Sequence, residues 1–552
     1  MKGKMKIQMS VDKKFFKILF LLILFPICIS ASPKQGGTLT VPIITPAFTE
    51  NFNPFTNGDN IKGLMFEPLL VYNSMVGEID YRLVESFEYS DDMKSILYKL
   101  RSNLKWSDGT PIRSEDVVFS ISLAKEYPAF DAAGLFASEK LEEIKKVDDL
   151  SFEVVLKKVD TTVEWSIPNY HIVPKHIWEN VEDPTRFENP NPVGSGPITE
   201  VKYVKPQQME ICRNPNYYIK GKPYLDCVKY RAFSDNSQIQ PALMNDEIDW
   251  GSNFIADIDK TYVQTNPENH HYWYPANDAI HIYLNTKKKP FSDLNFRKAF
   301  SMAMDREAIV ELAAYGYPTV NFFPGGLGNY FEKFINQEVS KQFEDLTQYD
   351  PDASKKLLKD SGYRDTDGDG YLENPDGSKI DFNIRVVNGW TDWVQTVQMV
   401  TEYLDEIGIK SRVDAVDWGV YDGSLKQGTY EAAINWSLVS VDPIQTFNEY
   451  FHTSRIGQIW HANHGIHARK VDRLIDEYGQ ISDSNRKKEI LKELQVFTSE
   501  NLPFISLFSN PTWFQYNSTR VEGWPNAENP YVHPVWYDTG KRVILFNELY
   551  AK

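Results

Sequence analysis

Short runs with alternating faces stand between long helical periodicities along this chain, and that mixture constrains its fold more than any other feature. Thr38–Ile43, Phe152–Leu156 and Ile280–Leu284 have strand spacing. Asp293–Ala313, Thr391–Ile407 and Ala468–Glu500 have helix spacing. In the first of these helices, Ser292 is the expected cap, and Leu294, Ala299, Ala303 and Ile309 share a face. Gly408 is expected to stop the second, and Ile409–Val413 reads as the strand after it. The pattern predicts an α/β protein. With 552 residues it is too long for one simple domain, so at least two lobes are expected, and no internal repeat is visible.

The N-terminus sets the compartment. Lys2, Lys4, Lys6, Lys13, Lys14 and Lys17 precede the apolar run Ile18–Ile29, which is too short for a permanent membrane helix. Small residues follow at Ser30 and Ala31, so residues 1–31 read as a cleaved signal peptide and the mature protein is expected to be exported and soluble. Cys28 as a lipid anchor is the weaker alternative, because Phe25-Pro26-Ile27 lacks the small residue usually found before a lipidated cysteine. Without residues 1–31 the net charge moves from −17 to about −22, which repels phosphate backbones and argues against nucleic acid as a partner. Export permits a disulfide between Cys212 and Cys227, although two buried thiols fit the spacing equally well. Aromatics make up 14% of the chain, an excess that suggests a binding cleft using flat rings.

Several motifs occur in a telling order. Leu104-Lys105-Trp106-Ser107-Asp108-Gly109-Thr110-Pro111 precedes Ser114-Glu115-Asp116-Val117-Val118-Phe119. Gly194-Ser195-Gly196-Pro197, Arg213-Asn214-Pro215-Asn216-Tyr217-Tyr218, Asp246-Glu247-Ile248-Asp249, Asn285-Thr286 and Phe296-Arg297-Lys298-Ala299 follow. As a set they resemble the extracellular solute-binding proteins of family 5, which serve oligopeptide, dipeptide, nickel and oligosaccharide importers. The resemblance spans nearly all of residues 36–550. It implies a periplasmic-binding-protein-like α/β fold: two lobes around a hinge, and three domains with the second inserted into a discontinuous first. Domain I is then expected at 33–77, 195–290 and 510–552, domain II at 78–194 and domain III at 291–509. The implied partners are a small oligomer and an ABC permease with ATPase subunits, and a monomer is expected. The chain itself needs no nucleotide motif, and no cofactor is required.

The residues of the Trp106 signature suit a tight turn and a helix start, so they are read as architecture. Ligand contacts are expected instead from Trp390, Trp393, Trp418 and Trp436, each near an element end, with Asn435 beside the last. In peptide-binding relatives, an aspartate three residues after such a tryptophan pairs with the ligand's α-amine. Here that position is Val439, which cannot balance an ammonium. With Trp273 in Tyr272-Trp273-Tyr274-Pro275, this looks more like the oligosaccharide-binding branch. An oligopeptide ligand is the alternative.

Asp365, Asp367 and Asp369 at alternate positions, followed by Gly370 and Tyr371, match the first half of a calcium loop. Asp376 stands at the twelfth position. The readings are a structural Ca2+ site or an acidic turn without metal. His461, His464 and His467, with His452 nearby, do not share one helical face and read as a structural loop. A secreted glycoside hydrolase is the rival from another class. It needs two opposed carboxylates, and composition alone supports it. Gly-x-Ser-x-Gly and His-Glu-x-x-His motifs are absent from the sequence, and a non-enzymatic binding role is expected.

Overall fold

The computed structural model describes residues 33–56, 62–131, 134–136, 139–536 and 538–552, so the expected signal peptide and Cys28 lie outside it. Contacts separate Met1–Pro33 from Lys34–Lys552, and the architecture is that of the second unit. No helix among the described residues is long and apolar enough to cross a membrane.

Sequence-distant strands build the first sheet. Thr38–Ile44 pairs in parallel with Cys227–Phe233, which continues antiparallel to Gln208–Arg213 and then Ile198–Lys205. Register places Cys212 opposite Cys227, and the two form a disulfide, which settles the choice that spacing left open. The chain between these strands makes a second, antiparallel sheet in the order Val84–Tyr89, Ser95–Leu100, Ser151–Leu156, Leu141–Lys146. Its residues Ile96, Tyr98 and Val154 are fully buried and share a core with Val117 and Ile121 of the helix Ser114–Glu126.

A six-stranded mixed sheet organises the rest, in the order Thr319–Val320, Phe504–Pro511, Ala276–Leu284, Ala432–Trp436, Asp381–Val387, Lys410–Val416. Ile434 faces a core shared with Phe296 and Val397, while Ala433 faces one shared with Phe447 and Leu494. Helices therefore cover both faces, which is why the strand is apolar on both. The strand Ala276–Leu284 belongs to this sheet, so the domain boundary expected at 290/291 falls after a strand already committed to it. A strand takes the sheet that buries it, whichever motif follows.

Two helical runs are shorter than their periodicity suggests. Asp293, not Ser292, caps Leu294–Met302, and Asp305 accepts from the Ala308 amide to begin Arg306–Ala314. Asp483 likewise divides Arg469–Gln480 from Ser484–Asn501. In both cases a capping carboxylate satisfies free amides that a continuous helix would have engaged, so the chain restarts. Gly408, in the left-handed region, follows Thr391–Glu406 as expected.

Candidate ligand cleft

The strands Asp381–Val387, Lys410–Val416 and Ala432–Trp436 run parallel, so their carboxyl ends lie along one edge of the sheet. Each delivers a tryptophan there. Trp390 follows the first, Trp418 opens the helix after the second, and Trp436 is the last residue of the third. Ligands in α/β proteins gather at such an edge because the loops diverge from it. Trp390 lies 5.7 Å from both Trp418 and Trp436, ring centre to ring centre, and 5.0 Å from Trp393. Trp460 joins them edge-on, 5.0 Å from Trp436 and 5.7 Å from Trp418, with its Nε1 donating to Asp422 at 2.6 Å. Sequence reasoning missed Trp460, which sits in an irregular segment with no spacing signal.

A cavity of about 700 Å³ opens beside this cluster. One wall comes from Pro68, Leu70, Val71 and Tyr72 and from Leu135, Thr162, Trp165 and Pro168; the other includes Trp436, Val439, Gln445, Asn448 and Trp460. The structure thus brings Trp436 and Val439 to the cavity. It places the other expected residues elsewhere. Trp393 is buried in the helix–sheet core, and Trp390 packs against that core. Asn435 is wholly buried, its Oδ1 accepting from the Trp436 amide at 3.0 Å. Trp273 packs on the first sheet's core, its amide donating to the Phe514 carbonyl at 3.0 Å. Alternation along a strand accounts for Asn435, since the neighbour of a cleft residue must face the other way.

Charge in the cavity is paired throughout. Among the described residues, the carboxylates that line it are Glu449, Asp476 and Asp538. Arg455 lies 3.0 Å from Glu449, Lys158 3.6 Å from Asp476 and Lys541 3.1 Å from Asp538. Burial raises the Glu449 carboxyl, and Arg455 opposes that rise. A hydrogen bond from His452 and the charge of Lys158 hold Asp476 below the usual range. A ligand entering here meets aromatic faces, amides and hydroxyls, and no uncompensated acid.

The two walls touch beyond the cavity. The Thr161 amide donates to the Gly479 carbonyl at 2.8 Å, and Lys158 reaches Asp476 from the same segment. A Cβ at Gly479 would stand 2.6 Å from the Asp160 carboxylate, so a side chain there would force either Asp160 or the wall itself to shift.

The histidines serve the backbone. His461 donates to the Trp436 carbonyl at 3.0 Å, His464 to that of Tyr450 at 2.9 Å and His467 to that of Phe451 at 2.9 Å. Burial pushes His461 down to about 4 and His464 to about 3, so both are neutral.

In the acidic turn, carboxyl oxygens of Asp365, Asp367, Asp369 and Glu373 converge within 4.8 Å. Glu373 replaces Asp376, which pairs with Lys289, while the Tyr371 hydroxyl donates to Asp405 at 2.8 Å. Lys379 already sits between Asp367, at 2.6 Å, and Asp369, at 3.1 Å. The donor set suits a hard cation, but that cation must compete with an ammonium.

Taken together, the mixed sheet and the cavity at its edge describe an α/β protein with an aromatic-lined cleft. The chain matches bacterial extracellular solute-binding proteins, family 5 (middle), over residues 78–458, and it belongs to that family. It is 25% identical over 501 residues to the oligopeptide-binding protein AppA of Bacillus subtilis, covering 87% of each chain. It is 26% identical over 503 residues to heme-binding protein A of Haemophilus influenzae, covering 85% of this chain and 86% of that one. Among solved structures it resembles a periplasmic oligopeptide-binding protein of Thermotoga maritima bound to mannohexaose, with TM-score 0.83 and 28% identity over 93% of this chain and 98% of the other.

Proposed function

We propose that this protein is the exported, non-enzymatic receptor of an ABC importer and that it captures a neutral oligosaccharide. The supporting observation is the cavity's charge. Each carboxylate that lines it is held by a cation, and Val439 occupies a place where an ammonium terminus would need a counter-charge. Trp436 and Trp460 offer flat faces to sugar rings, and Gln445, Asn448 and Gln458 can bond hydroxyl groups. The mannohexaose carried by the Thermotoga maritima protein agrees with this chemistry.

Capture works through the walls. Ligand bridging both favours the arrangement in which Thr161 meets Gly479, because those contacts exist only when the walls are together. The closed form then docks on a membrane permease whose ATPase subunits supply the energy.

The oligopeptide reading rests on the names of relatives such as AppA. Titrating the mature protein with manno-, cello- and xylo-oligosaccharides and with a mixed peptide pool separates the two. Tight, pH-insensitive sugar binding is expected. Peptide binding that vanishes when the α-amine is acetylated would overturn the proposal. The sugars should also emerge intact, since carboxylates locked in ion pairs are poor proton donors. Turnover abolished by one carboxylate substitution would place the protein among hydrolases.

A further inference from the structure

The aromatic surface does not stop where the enclosed cavity does. Trp436 and Trp460 line the cavity, whereas Trp418 lies outside it with 44% of its surface exposed. Its ring is within 2° of parallel to that of Trp436 at 6.3 Å between centres, and perpendicular to that of Trp460. Trp390 and Tyr421, 5.7 and 5.8 Å away, hold it from other sides. An exposed ring fixed on several sides is already ordered, so stacking a ligand on it costs little further side-chain freedom. Trp436 and Trp460 line the cavity and Trp418 stands 6.3 and 5.7 Å from them, ring centre to ring centre, so the outer ring lies about one sugar unit beyond the enclosed site.

We propose that Trp418 is an outer subsite for a neutral oligosaccharide longer than the cavity encloses, holding the sugar units that emerge past Trp436. The inference rests on the oligosaccharide reading and adds chain-length selection to it. On the helix that Trp418 opens, the exposed large apolar residues are Trp418 and Val420, beside the charged Asp422–Lys426 pair. That is far smaller than a stable protein interface, about 1,000 Å², but it matches one face of a sugar.

The test is isothermal titration of the full mature protein with the series mannobiose to mannohexaose, repeated for Trp418→Ala and Trp418→Tyr. The parent should bind the longer members more tightly. Trp418→Ala should weaken mannohexaose by about tenfold and leave mannobiose within about twofold, while Trp418→Tyr retains most of the long-chain gain. An equal loss at every length would make Trp418 a prop for Trp436 and overturn the proposal, as would no loss at any length. A parent that binds the series without length dependence refutes the outer subsite alone. A parent that binds no sugar at all refutes the oligosaccharide reading beneath it. Thermal midpoints of both variants separate lost contacts from lost fold.

Discussion

Two regions of this molecule are rich in distinctive residues, and they use them in opposite ways. Around Trp106, motifs far apart in sequence interlock. The Asn214 side chain donates to the Gly196 carbonyl and the Asn216 side chain to that of Ser107, both at 2.9 Å; Ser195 accepts from the Glu67 amide at 3.0 Å. Glu67 in turn accepts from Arg82 at 2.6 Å, Tyr217 at 3.1 Å and Tyr218 at 3.2 Å. Gly194 and Gly196 lie so close to the Met65 and Leu64 carbonyls that any Cβ would collide. In the cleft, by contrast, Trp436 and Val439 are only half-buried and Trp418 is exposed. The junction spends its polar groups on itself, whereas the cleft leaves surface for a guest. Distinctive residues whose polar groups bond mainly to one another mark a fold, and those left partly open are the candidates for ligand contact.

The largest effect that separates the regions is expected at Gly196. Gly196→Ala forces backbone apart at the junction and should destabilise folding by ~3 kcal/mol or more, read as a lowered urea midpoint. A variant of parental stability would show that the junction yields. Trp436→Ala should do the reverse, weakening sugar affinity by ~1–3 kcal/mol while the thermal midpoint stays close to the parent's. A collapsed fold there would erase the distinction between the regions.

Gly479→Ala sharpens the comparison inside the cleft. Its methyl group opposes only the closed arrangement, so affinity should fall by ~1 kcal/mol with the ligand-free melting point unchanged. Equal losses in both measurements would mean that the walls do not part.

The pH response should be shallower. Burial raises Asp278, at the start of the strand Ala276–Leu284, to about 8, so the folded state keeps a proton that the unfolded chain loses near pH 4. Its contribution makes stability fall as pH rises from about 4 to about 8. The neutral His461 acts oppositely, lowering stability as pH drops from about 6.5 towards 4. Asp278→Asn should therefore raise the melting point at pH 8, with the gain vanishing near pH 4. A gain that persists at pH 4 would assign the effect to packing.

The smallest effect expected is that of calcium. At millimolar concentration it should raise the melting point slightly by displacing Lys379, and Asp367→Ala should abolish the rise. A midpoint insensitive to chelator would leave the turn with its lysine.

How much of this was legible follows from the same contrast. Strands at 38, 152 and 280, the helix ending before Gly408 and the turn at Gly109 were readable, because each depends on spacing or on a backbone conformation that few residues adopt. The helix breaks at Asp305 and Asp483 were not, because a capping carboxylate within an unbroken apolar period looks like an exposed helical residue. Val439 was readable from the motif that precedes it, whereas Trp460 had neither motif nor period around it.

The sequence by itself determined the α/β class and the family. It also marked Gly408 as the stop of a helix, since that demand is local. Only the tertiary structure decided which tryptophans face a cavity, that Glu373 replaces Asp376 in the acidic turn, and that Cys212 meets Cys227. Burial and charge pairing are properties of neighbours, which here range from Asp365 and Glu373 in one turn to Trp165 and Trp436 across the cavity. Trp165 and Trp436 share a cavity because elements that follow two different sheets meet there.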